Sequence, residues 1–119
     1  MAIFGSRRNR PVFYDVYFWG ADGTVYQLRE EEYHYRWYGQ RADRNLSRDE
    51  FQSYLKTHLR ARGLDPDQLE ISIQSAEQRG RRWVRPCHVK VPVGVHLPRG
   101  LAKEVTPPFR TTTDQLSPG

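Results

Sequence analysis

The sequence predicts an α+β fold, a single small antiparallel sheet with one helix packed across it. Three observations carry that expectation. Residues 12–19 form an aromatic, β-branched run that suits a pleated, half-buried surface. Residues 46–64 hold a helix start, an apolar face and a helix stop in the right order. Residues 69–91 return to period-two alternation. The expected order is hairpin–helix–hairpin, ββ(β)αββ, with flexible termini.

Residues 1–10 read as a flexible basic arm. Pro11 opens the first strand, Val12-Phe13-Tyr14-Asp15-Val16-Tyr17-Phe18-Trp19. Phe13, Tyr17 and Trp19 share one parity, and Val12, Tyr14, Val16 and Phe18 share the other. Both faces are apolar, which implies burial on both sides. Gly20-Ala21-Asp22-Gly23 follows as a turn, and Thr24-Val25-Tyr26-Gln27-Leu28 returns as a second strand, a hairpin signal. Tyr33, Tyr35 and Trp37 alternate with His34, Arg36 and Tyr38, which suggests a third short strand or an extension of the second.

The helix is expected from about Arg48 to Arg62. Ser47 is its N-cap, with Glu50 three residues on to complete a capping box, and Leu46 and Phe51 can staple across it. Phe51, Tyr54, Leu55, His58 and Leu59 fall on one stripe. Gly63 can take the left-handed position after the helix, with Leu64 folding back on Leu59. Asp65-Pro66-Asp67 makes a turn. Leu69, Ile71 and Ile73 point one way in the next strand. Trp83, Cys87, Val89 and Val91 share a parity in the last, where Pro86 implies an edge or a bulge. From residue 98 the chain reads as a Pro/Thr-rich tail, extended or disordered, so the domain is expected to span residues 11–97.

The 119 residues suit one domain, and a core of that size needs no disulfide. The single cysteine, Cys87, fits a reducing compartment. No apolar run reaches membrane-spanning length, and the N-terminus lacks a secretory pattern, so no membrane partner and a cytoplasmic location are expected. The net charge is +5, yet residues 12–98 carry 13 basic and 12 acidic side chains. The excess sits mainly on Arg7, Arg8 and Arg10, which weakens a simple argument from basicity to nucleic acid.

Searching for chemistry excludes more than it finds. His34, His58, Cys87, His88 and His96 have no zinc-binding spacing. No nucleophile motif or phosphate cradle is present. No metal, no cofactor and no catalytic residue is expected, and the protein reads as a non-enzyme. The leading expectation is an interaction protein, an accessory or structural subunit of a larger assembly, with a protein partner or a second copy of itself. Its contacts would include Phe4, Tyr17, Trp19 and Phe109. The alternative is a nucleic-acid-binding module that takes RNA or DNA through an arginine hairpin, Arg79, Arg81, Arg82, Trp83 and Arg85, helped by Arg7, Arg8 and Arg10. Arg48 closes a second run of arginines at the helix start. A third reading is a small ribonuclease with His58 or His88 as base.

Overall fold

The computed structural model describes residues 11–33 and 46–106. They form six strands and one α-helix. In chain order these are β1 (Val12–Trp19), β2 (Val25–Leu28), α1 (Arg48–Ala61), β3 (Glu70–Ile73), β4 (Glu77–Arg79), β5 (Arg82–Lys90) and β6 (Ala102–Val105). Short 3-10 turns occupy Glu30–Glu32 and Pro66–Gln68. The fold is α+β. The third strand expected at residues 33–38 lies beyond Tyr33, outside the described residues, as do the residues before Pro11 and after Thr106.

The expected capping box and helix stop are both present. Ser47 N donates to Glu50 Oε1 at 2.8 Å and Glu50 N donates to Ser47 Oγ at 3.1 Å, closing the capping box. At the other end Gly63 takes φ +92°, Gly63 N donates to Arg60 O, and Leu64 N donates to Leu59 O. This pair of bonds is a Schellman stop, which requires a residue tolerant of positive φ. Phe51, Leu55 and Leu59 are fully buried.

The strand order is β3-β5-β1-β2-β6, with β4 also on β5. The sheet is mixed, which corrects the expected purely antiparallel arrangement. β1 and β5 run parallel over eight residue pairs, from Val12 opposite Trp83 to Trp19 opposite Lys90. The other pairings are antiparallel. The cause is the connection. A parallel pair needs a crossover, and α1 lies between the two hairpins in the chain and packs over the sheet. The second hairpin therefore enters with β5 aligned to β1. These two longest strands take the centre of the sheet, where both their edges are paired.

The second correction concerns the end of the domain. The tail expected from residue 98 begins instead with structure: Ala102–Val105 adds β6 to the free edge of β2. Leu101, just before it, is fully buried in the core, and its carbonyl accepts from Arg29 N at 3.0 Å. Pro92, Gly94, Pro98 and Gly100 bend the segment that carries the chain across the sheet from β5 to β6. They mark a crossing loop rather than the end of the domain.

Pro86 sits in the central strand β5, opposite a break. β3 and β4 both pair with β5, separated by residues 74–76, where three residues face two. Gln74 N donates to Pro86 O at 2.8 Å. A bulge of this kind accommodates a proline that has no N–H to give the ladder.

The main core lies on one face. Tyr14, Val16, Phe18, Cys87 and Val89 meet Phe51, Leu55 and Leu59 of α1, with Val91 and Leu101 at the ends of the crossing loop. The Tyr14 and Phe51 rings stack at 4.1 Å and 6°. The Tyr14 hydroxyl donates to Leu46 O at 2.7 Å, so the buried phenol is satisfied.

Candidate functional site

The alternation of β1 and β5 turns a second set of side chains to the face away from α1. Phe13, Asp15, Tyr17 and Trp19 lie beside Val84, Pro86, His88 and Lys90 in register. Tyr17, Val25 and Val84 are only 4%, 1% and 3% exposed, yet they stand outside the main core cluster. This far face therefore holds an apolar layer of its own, crossed by a row of aromatic rings. His88 meets Tyr17 edge-on at 6.5 Å and Trp19 at 5.6 Å with a 55° tilt.

Charged groups from three strands thread this layer. Arg79 of β4 donates from Nε to Glu77 Oε2 at 2.7 Å. Its Nη1 lies 3.4 Å from both Asp15 Oδ2 and the Tyr17 hydroxyl. Arg82 places its guanidinium 4.5 Å from the centre of the Phe13 ring. Burial pushes the Asp15 carboxyl above its ordinary value, outweighing the downward pull of Arg79 and Arg82. Burial and the Asp15 charge also raise the Tyr17 phenol. Burial, then the Arg79 charge, lowers the His88 imidazole, which keeps it neutral near neutral pH.

At the end where β1 and β5 finish, the far face opens into a cavity of about 700 Å³. Trp19 and His88 form one wall, and Leu69, Val91 and Pro92 complete the lining. Glu70 and Lys90 stand on its rim, directly opposite one another in the β3–β5 ladder. Their unlike charges leave the mouth with no net charge.

The structure divides the arginine hairpin. Arg79 and Arg82 belong to the far face, whereas Trp83 and Arg85 share the α1 face with Tyr14. Arg81 is exposed at the two-residue turn beside Gly80. Arg85 and Arg48, from the two separate arginine runs, both act on the Tyr14 phenol, which burial raises and their charges lower. Tyr17 and Trp19 lie together on the far face. Phe4, Arg7, Arg8, Arg10 and Phe109 lie outside the described residues.

His58 and His88 stand on opposite sides of the sheet, one on α1 and one on the far face, so they cannot address one substrate together. His58 is occupied in a clasp. Its Nε2 is 2.6 Å from Glu32 Oε1, while Arg62 binds Glu32 Oε2 and also donates to Arg99 O at 3.2 Å. Burial acts to raise the Glu32 carboxyl, but the hydrogen bonds and charges of Arg62 and His58 bring it below the ordinary range. The Cys87 thiol is fully buried and pushed up to about 12, which makes it unreactive. Among the described residues no group of three His, Cys, Asp or Glu side chains is placed to hold a metal ion, and no helix is long and apolar enough to cross a membrane.

Sequence reasoning found Tyr17 and Trp19 by parity. It missed Asp15, Glu70 and Lys90 as members of one surface, because β1, β3 and β5 bring them together from distant parts of the chain. Comparison with known proteins found no matching family model, no matching curated protein and no matching solved structure.

Proposed function

We infer that the protein is a non-enzymatic interaction protein, a subunit that joins a protein partner through the far face of its sheet. The observation that supports this is the composition of that face. It is aromatic and apolar along β1 and β5, and its charges are paired internally, Arg79 with Glu77 and Asp15, Lys90 across from Glu70. Aromatic surface with locally balanced charge suits the core of a protein interface better than a phosphate backbone.

The test is light scattering with size-exclusion chromatography at low and high salt, with and without mixed RNA, followed by pull-down. The expected result is a protein complex or oligomer that survives high salt. Phe13→Ala should weaken it, and Arg81→Ala should leave it intact. A protein that stays monomeric, captures nothing and ignores RNA would overturn the reading.

A second reading is nucleic-acid binding at the opposite corner. Arg85 and Arg48 converge near Tyr14, Trp83 shares that side of the sheet, and Arg85 Nε is buried without a hydrogen-bond partner among the described residues. This reading requires salt-sensitive binding to single-stranded RNA that weakens in Arg48→Ala and Arg85→Ala.

A further inference from the structure

We propose that the cavity at the end of β1 and β5 is a binding site for a small, neutral, planar aromatic molecule of one or two rings. This site lies at one end of the face inferred above to hold the protein contact, but it does not depend on that reading.

Shape comes first. At about 700 Å³ the cavity falls within the range of small-molecule sites. It lies where two adjacent parallel strands end and the chain departs in loops, at Gly20-Ala21 after β1 and Val91-Pro92 after β5. Sheets with parallel strands commonly bind ligands beyond the carboxyl ends of those strands, because departing loops leave a crevice there.

The walls then select the ligand. The Trp19 and His88 rings meet at 55°, with centroids 5.6 Å apart. A flat ring laid on one therefore presents its edge to the other, the two arrangements that aromatic pairs favour. The remaining lining is mostly apolar, which suits the rest of such a ring.

The rim selects against charge. Glu70 and Lys90 face each other across the ladder, so an anion drawn by Lys90 meets Glu70, and a cation meets the reverse. Either ion would also lose hydration against the mostly apolar lining. The site thus discriminates by flatness and neutrality.

The experiment is a two-dimensional amide NMR titration of the full chain with indole and benzimidazole, alongside indole-3-acetate and tryptamine as charged counterparts. Saturable shifts are expected at Ala21, Leu69, Glu70, His88 and Val91, with the neutral probes binding at least as tightly as either charged one. Trp19→Leu, checked for folding by thermal melting, should weaken indole binding by up to about tenfold, the contribution of one aromatic contact. Should that variant fail to fold, the shift map of the unmodified chain decides the matter alone. Absence of saturable shifts at millimolar probe, shifts centred elsewhere, or tighter binding of one charged probe would each overturn the proposal.

Discussion

The two faces of one sheet differ in chemistry although the same strands supply both. Toward α1, Tyr14, Val16 and Phe18 pack against Phe51, Leu55 and Leu59, and Cys87 of β5 adds a thiol held neutral. Away from α1, the intervening residues of β1 place Asp15 and Tyr17 among Arg79, Glu77 and His88. The first face is built for cohesion, since its groups have little to offer except area removed from water. The second spends part of its buried surface on groups whose protonation the fold has shifted. Where a stable domain tolerates such groups, recognition is the common reason.

Breaking the cohesive face should have the largest effect. Phe51→Ala removes a fully buried ring stacked on Tyr14 and should cost about 3–5 kcal/mol, read from the urea midpoint. A cost below about 1 kcal/mol would mean that α1 is not what closes the core.

The Glu32 clasp lies at the margin of the cohesive side and should rank next. Glu32→Ala strips His58 and Arg62 of their shared acceptor, and should cost about 2 kcal/mol at neutral pH. Because the folded-state value of Glu32 is lowered, its contribution is complete above about pH 5 and fades as pH falls through that lowered value. Melting curves of the two proteins should therefore converge in acid. Parallel curves down to about pH 3 would show that the ionised carboxylate is not what holds the clasp.

The far face should give the smallest effect, with the opposite sign. Burial raises the Asp15 value, so the folded chain keeps that proton to higher pH than the unfolded chain does. Stability is therefore lost as pH rises through this window. Asp15→Asn should raise the melting temperature slightly near neutral pH and make no difference below about pH 3.5. Lower stability at neutral pH would place Asp15 with the cohesive groups and erase the contrast between the faces.

Glu32 and Asp15 sharpen the same point, for both carboxylates meet an arginine and yet shift in opposite directions. Glu32 receives Arg62 and His58 at close range, one on each oxygen. Asp15 shares the 3.4 Å approach of a guanidinium whose shorter bond goes to Glu77. Proximity of an arginine does not settle a carboxyl's protonation; the balance of burial against hydrogen bonding does.

Legibility in the sequence followed locality. The helix was readable to its caps because Ser47, Glu50, Gly63 and Leu64 act on neighbours within a few residues. β6 was not, since Ala102-Lys103-Glu104-Val105 carries two adjacent charges and no strand pattern. Its place follows from the open edge of β2 and from Leu101 anchoring in the core. The parallel pairing was equally hidden, because it depends on how the crossover lands. The rings of the candidate site were half legible through the parity of β1. Its charges and its cavity were not, as they require Leu69, Glu70, His88 and Lys90 to arrive beside Trp19 from a different hairpin.

The central pairing also dictates a timetable. Val12 and Trp83 are neighbours in the sheet but about 70 residues apart in the chain. α1 and the two hairpins can form on their own, within microseconds, whereas β1 and β5 must close a long loop before any bond between them repays the lost entropy. In refolding, helical signal should return well before the fluorescence change of Trp19 docking beside His88. On the ribosome the sheet cannot assemble until Lys90 has emerged, and the core is not sealed until Leu101 follows. For most of its synthesis the growing chain carries β1, its most apolar segment, without the neighbour that will shelter it.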